Sequence, residues 1–281
     1  MTNELTNELT AELTDDSLPL VTIIMIDGRF RERFDTIDNV AALDYPTDRY
    51  EALWIDYFEV AGEAARRAAP HPHVEAISLG HQGVYHSSYC FNAGIARARG
   101  EILVILDADV MVEADFLRQV VASHAACPDL AMYIRRLDQP QNRYVPGSES
   151  DLDLLRRTCA LVDPSNFGGC LTVRKRWMEA LNGYEQHFIF GTGFHANGRD
   201  VNVRLKNLGL CVKWHPELVL YHAWHPLTLT PNPIHDIQKK LIRWRELHLN
   251  TRAFVGLARQ TTPLPPALEA EILADVARHG L

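Results

Sequence analysis

Asp107-Ala108-Asp109 is the stretch of this chain best suited to chemistry. The two acids follow Ile102–Leu106, an unbroken apolar run of the kind that forms a strand buried on both faces. Residues two apart on a strand point the same way, so both carboxylates would leave the strand end side by side. Like charges that close repel unless a cation lies between them. Ligands made only of oxygen suit Mg²⁺ or Mn²⁺, which can bridge to substrate phosphates. An isolated D-x-D is as readily a polar strand end beside a helix. Its place at the end of a hydrophobic strand is what favours metal chemistry.

The elements around it alternate at βαβ spacing. Strands are expected at 20–26, 52–57 and 74–79, and again before Asp107. Helices are expected at 34–43, 61–69, 86–99 and 113–126. This pattern predicts a mostly parallel sheet covered on both faces, with ligands beyond the carboxyl ends of its strands. Asp27, Asp56, Asp107 and Asp109 all fall at or near such ends, although a lone Asp after a strand is commonly a turn former. Residues 138–152 read as a long loop of the kind that forms lids. A strand at 170–173, helices at 174–181 and 198–208, strands at 210–214 and 218–221, and two helices after Ile234 complete the reading. Residues 1–18, with the near-repeat TNELTNELTAELT, read as a tail.

Composition narrows the class. The chain has 281 residues and 47% hydrophobic content, enough for one large α/β domain with a helical appendage. A formal charge of −8 argues against a nucleic-acid surface. Five dispersed cysteines without a CxxC pair read as free thiols in a reducing compartment. The start is polar and acidic, unlike an export signal, and no apolar run nears the roughly 18 residues of a membrane span. A cytoplasmic location is the expectation.

Several motifs then occur in a recognisable order. Asn92-Ala93-Gly94 precedes Ala98, Gly100-Glu101-Ile102 and the LDADV segment. Gly168-Gly169, Leu181-Asn182-Gly183-Tyr184-Glu185, Gly191-Thr192-Gly193, Arg204-Leu205 with Gly209, and Tyr221-His222 follow. Over about residues 19–228 this order resembles family 2 glycosyltransferases of the GT-A fold, with residues 229–281 as a C-terminal helical extension. The resemblance implies transfer of a sugar from a nucleotide-diphosphate sugar, UDP- ahead of GDP-, with Mn²⁺ or Mg²⁺ on the diphosphate. It implies a metal set of Asp107, Asp109 and His222, with Asp107 and Ala108 nearer the nucleotide. His225 is the alternative imidazole; the two histidines could share a metal from a helix, which Pro226 opposes. Asp56, with Ile26 and Asp27, would meet the base, and Asn92 the ribose or phosphate.

The proton acceptor departs from that pattern. The family's acidic pair falls here on Asn197-Gly198 or, counted from Gly193, on His195-Ala196. Asp200 is the first candidate for the base and His195 the second; as an alternative, Asp200 caps its helix. The acceptor class is left open among saccharide, lipid-linked, peptide and small-molecule acceptors. The last helices are expected to shape the acceptor site or a homodimer contact. A nucleotidyltransferase would share the sheet and the paired acids, with Arg29, Arg31 and Arg33 as its phosphate loop. A degenerate, non-catalytic glycan-binding or regulatory member would explain the missing acidic pair.

Overall fold

The computed structural model describes residues 17–29, 33–60, 62–145, 148–191, 196–226, 235–258 and 261–279. The N-terminal tail through residue 16 and the glycine-loop segment 192–195, which contains His195, lie outside them.

Three strands carry the apolar runs read from the sequence: β1 (Val21–Asp27), β2 (Tyr50–Asp56) and β4 (Ile102–Leu106). Every residue in all three is buried. A strand with both faces covered needs a continuous run, since no alternate position meets water. With β3 (Val74–Ser78) they form a parallel block in the order β3-β2-β1-β4, and Asp27 lies opposite Asp56 in the register. The helices α1 (Asp35–Ala41), α2 (Gly62–Ala68) and α3 (Ser87–Arg97) connect these strands. Gly100 at the foot of β4 is fixed by space, because a Cβ there would sit 2.4 Å from the Thr22 backbone nitrogen.

The second half differs from the expected mostly parallel sheet. The remaining strands are β5 (Val110–Met111), β6 (Leu130–Asp138), β7 (Ala160–Leu161), β8 (Cys170–Arg174) and β9 (Cys211–His222). β8 runs antiparallel between β4 and β6, β9 is parallel to β6, and β5 closes the row antiparallel to β9. β8 therefore starts at the carboxyl edge of β4, with Cys170 opposite Leu106. The sequence predicts two strands around Pro216, yet β9 is one strand. The register jumps between Tyr133/Trp214 and Arg135/Val219, a bulge that leaves Pro216 out of the ladder. The His215 Nδ1 atom accepts the backbone N–H groups of Glu217 and Leu218 there, at 3.1 and 2.7 Å.

The other helices are α4 (Phe116–Ala126), α5 (Leu152–Thr158), α6 (Lys175–Ala180), α7 (Asn197–Asn207), α8 (His235–His248) and α9 (Pro266–Arg278). One sheet face packs Met25, Trp54, Val104 and Phe116; the other packs Ile24, Leu53, Ile105 and Val201. A third core joins Phe190 and Val203 to Leu241, Phe254 and Ile272, so the C-terminal helices sit on α7. None of the helices among the described residues is long and apolar enough to cross a membrane.

Candidate active site

The Asp107–Asp109 segment turns out of β4 into β5, and α1 holds that turn in place. The Thr36 hydroxyl donates to the Val110 carbonyl at 2.7 Å, and the Asn39 side chain bonds both the N–H and the carbonyl of Val112. β9 ends beside it, since His222 pairs with Val110 on one side and Asp138 on the other. Beyond His222 the chain leaves the sheet without a helix, and His225 swings back to the same carboxylate. The His222 Nε2 atom lies 3.8 Å from Asp109 Oδ1, and the His225 Nε2 atom lies 3.3 Å from Asp109 Oδ2. One ligand atom from each of Asp109, His222 and His225 lies within 4.8 Å of the others.

The proton positions follow from the outer partners. The His222 Nδ1 atom is 2.9 Å from Asp138 Oδ1, and the His225 Nδ1 atom is 2.9 Å from the Pro226 carbonyl. Both partners accept here, so both Nδ1 atoms carry the hydrogen. Each Nε2 then presents either a second proton or a lone pair toward Asp109. Two lone pairs facing a carboxylate at this range call for a cation between them. Metal–ligand bonds of about 2.0–2.2 Å place neighbouring ligand atoms about 3–4.4 Å apart, which this trio can meet with small adjustments. Two imidazoles with one carboxylate make Mg²⁺, which prefers oxygen, the poorer fit of the two expected ions.

Asp107 is not in that trio. Its carboxylate faces Arg136, with Oδ2 3.3 Å from Nη1, and its backbone N–H donates to the Gly169 carbonyl at 2.9 Å. Arg136 Nε also lies 3.0 Å from Asp138 Oδ1. Asp138 is held below the usual carboxylate range because the His222 hydrogen bond and the Arg136 charge outweigh its partial burial. Neither Asp138 nor Arg136 has a signal in the sequence, since each meets the site only because β6 is parallel to β9. A small cavity beside Asp109 and His225 is walled by Arg33, Asp35 and Ser150. Arg33 also donates to the Val145 carbonyl at 2.9 Å, and Asp35 accepts the Ser150 N–H at 2.7 Å, so Arg33 and the head of α1 hold both ends of this part of the loop expected as a lid.

Of the residues expected to meet the nucleotide, Asp27 and Asp56 sit side by side at the strand ends, both buried. Asp27 Oδ1 accepts the Gly28 N–H at 2.8 Å, and Asp56 Oδ1 accepts the Phe58 N–H at 2.9 Å. Around Tyr57, next to Asp56 in sequence, gather His81, Tyr85 and Tyr89, with Tyr57 and His81 stacked at 4.7 Å. Ile26 and Ala108 belong to the two sheet cores, which leaves their backbones rather than their side chains for a ligand. Asn92 corrects the expectation of a ribose or phosphate contact. Its side chain accepts the Tyr184 N–H at 2.7 Å and donates to the Tyr184 carbonyl at 2.9 Å, so it is a clamp between α3 and that turn. Gly183 makes room for it with φ +69°, where a Cβ would lie 2.3 Å from Asn92 Oδ1.

Asp200 is also not where a general base must be. It is 1% exposed and lies between two guanidinium groups, 2.8 Å from Arg204 Nε and 2.8 Å from Arg245 Nε. Arg204 also donates to the carbonyls of Leu181 and Gly183, and Arg245 meets Glu185 at 2.5 Å. Glu185 in turn accepts the N–H groups of Phe254 and Val255. A carboxylate enclosed in this way has no oxygen within reach of an acceptor hydroxyl. Its spacing of four from Arg204 on one helix was the available signal for an ion pair.

A sheet of this order, with a D-x-D turn at the carboxyl edge and an imidazole from the last strand facing it, defines a GT-A glycosyltransferase. Residues 72–181 match the sequence model described as Glycosyl transferase family 2. No curated protein matches it in sequence. Among solved structures, it is similar in fold to the mannosyltransferase PcManGT from Pyrobaculum calidifontis, in complex with GDP-Man and Mn²⁺. That alignment is 19% identical, covers 98% of this chain and 76% of that one, and has a TM-score of 0.53. It is also similar to S. aureus TarS 1-349 in complex with UDP-GlcNAc, at 12% identity, 82% and 69% coverage and a TM-score of 0.59.

Proposed function

We propose that this glycosyltransferase uses a nucleotide-diphosphate sugar and a divalent cation, held by Asp109, His222 and His225. The observation that carries the reading is the convergence of two Nε2 atoms on one carboxylate at 3.3 and 3.8 Å. A cation there would supply Lewis-acid stabilisation of the charge that grows on the departing diphosphate. Asp138 and Pro226 keep the Nδ1 protons of the two histidines turned away from it. Arg136 keeps Asp107 at the rim, on the side of the nucleotide. Tyr57, His81, Tyr85 and Tyr89, beside the end of β2, form the wall suited to a base and ribose, with Asp27 and Asp56 buried behind it. PcManGT is in complex with GDP-Man and Mn²⁺, and TarS with UDP-GlcNAc; a nucleotide sugar with Mn²⁺ is the reading for this chain as well.

Transfer is read as inverting, in line with the family resemblance. Asp200 is locked into its ion network, so the proton acceptor on this reading is His195, next in sequence to Ala196 at the head of α7. The test is donor hydrolysis and Mn²⁺ binding measured on one protein. UDP- and GDP-sugars are incubated with Mn²⁺, and Mn²⁺ binding is followed by electron paramagnetic resonance. Hydrolysis that needs Mn²⁺ and disappears in Asp109→Ala and His225→Ala is expected. Hydrolysis indifferent to a chelator would defeat the metal reading. For the base, transfer to an acceptor should fall in His195→Gln while donor hydrolysis persists.

A further inference from the structure

Arg136 stands two residues before Asp138 on β6, so the two side chains leave the same face of the strand. Its stem passes the start of β8 at Gly169, where a Cβ would touch the Arg136 Cβ and Cδ at 3.6 and 3.8 Å. Beyond that point its guanidinium lies between two carboxylates, with Nη1 3.3 Å from Asp107 Oδ2 and Nε 3.0 Å from Asp138 Oδ1. That Asp138 oxygen also accepts the His222 Nδ1 hydrogen at 2.9 Å. One carboxylate oxygen therefore joins Arg136 to an imidazole whose other nitrogen faces Asp109.

Two of its three nitrogens are engaged by acids, and the third is not. Nη2 makes no hydrogen bond among the described residues, and unlike the buried Nε it is open to solvent. The side chain as a whole is 23% exposed. A guanidinium already held by two acids loses little freedom when its last arm bonds a ligand. The charge around it also calls for that arm. Asp107, Asp138 and Asp109 all act on Arg136. Their three negative charges exceed the two positive charges of a divalent cation, so a diphosphate brought to the Asp109 trio would still meet net repulsion without Arg136. Arg33, which lines the cavity beside Asp109, is engaged elsewhere. It donates to the Val145 carbonyl at 2.9 Å and the Ser148 hydroxyl at 3.1 Å, and it lies 5.1 Å over the Tyr144 ring.

We propose that Arg136 is a second cation for the donor's diphosphate, its Nη2 bonding a phosphate oxygen while Nη1 and Nε keep Asp107 and Asp138. The proposal rests on the nucleotide-diphosphate reading and adds a substrate-contacting residue to it. In the transfer, the bond between the sugar's anomeric carbon and the diphosphate oxygen breaks, and its electron pair stays on that oxygen. The acceptor oxygen bonds the carbon, and its proton passes to the base. Arg136 gives up no proton. It meets the charge that grows on the departing diphosphate with a donor already in place. The planar fork of an arginine can hold two acids and still offer an arm, whereas a lysine offers one point charge on a flexible stem.

The test titrates the full chain by calorimetry with UDP, GDP and the bare nucleosides in the presence of Mn²⁺. Mn²⁺ binding without nucleotide is followed by electron paramagnetic resonance. In Arg136→Met, diphosphate binding should weaken about tenfold or more and nucleoside binding should hold, with Mn²⁺ affinity within about threefold of the parent. Arg135→Met removes the same charge one residue earlier on β6, from the face where Arg135 lies over Trp214, and should leave all three unchanged. Arg136→Lys should recover only part of the lost diphosphate affinity. If Arg136→Met does not fold, the shortfall of Arg136→Lys against the parent carries the same comparison. Equal diphosphate binding in parent and Arg136→Met, or full recovery in Arg136→Lys, would overturn the proposal. So would a fall in Mn²⁺ affinity as large as the fall in diphosphate affinity, which would leave Arg136 acting only through Asp138 and His222. A parent that binds neither UDP nor GDP would defeat the donor reading itself, and the proposal with it. A parent that binds one of them, beside an Arg136→Met protein that binds it equally well, would defeat the proposal alone.

Discussion

Two clusters of acids and bases in this molecule solve opposite problems. Around Asp109, two imidazoles converge on one carboxylate at partial exposure, 13–23% for the three side chains. Around Asp200, two guanidinium groups and two carboxylates are sealed at 0–1% exposure. The sealed cluster balances its own charge and ties α7 to α8 and the segment that follows. The Asp109 trio leaves its two Nε2 atoms facing one partly exposed carboxylate. An acid's role is thus set by what surrounds it, not by its place in a motif.

The sharpest test of that contrast removes one acid from each cluster. Asp109→Ala should abolish Mn²⁺ binding and donor hydrolysis while the melting temperature without metal stays near that of the parent. Asp200→Asn should do the reverse: it strands two buried guanidinium groups and should cost about 3–5 kcal/mol of stability, read by denaturant unfolding. An Asp200→Asn protein that melts like the parent but transfers no sugar would return Asp200 to the chemistry.

Histidines sharpen the comparison. His124 is fully buried with Nε2 2.9 Å from the Thr172 hydroxyl, and burial pushes its pKa down from 6.5 to about 4. It stays neutral in the folded chain while the unfolded chain takes up a proton below about 6.5. Stability should therefore be full above that pH and fall as the pH drops toward 4, by up to about 3 kcal/mol. In His124→Gln the acid side of the stability profile should flatten by about one proton's slope. His222, by contrast, has Asp138 behind it. Asp138→Asn should weaken Mn²⁺ binding about 10- to 100-fold by loosening the imidazole's orientation, with little change in unfolding. Unchanged Mn²⁺ affinity would reduce Asp138 to a partner of Arg136.

Much of the fold was legible in the chain. The unbroken runs 21–26 and 102–106 could be buried strands because no position in them asks for water. The acids after them had to sit at one edge once the strands were parallel. The second half was harder, because Pro216 reads as a break and the short segments before it have no period of their own. A bulge and long-range pairing decide that region, and both depend on residues far apart in sequence. The same holds for the site. His222 was legible from the motif order, whereas the recruitment of His225 required the chain to fold back after β9.

Sequence by itself determined the chemical types and their local spacing: a buried strand ending in D-x-D, an H-x-x-H late in the chain, an acid four residues before an arginine on one helix. Those are short-range facts, fixed by alternation along strands and by the turn of a helix. Tertiary structure alone decided which acid meets which base. It gave Asp109 two imidazoles, Asp107 an arginine, Asn92 a backbone turn and Asp200 a closed pair of guanidinium groups. The reason is electrostatic: a carboxylate's work depends on the charges within about 4–6 Å and on its access to water, and neither is set by its neighbours in sequence.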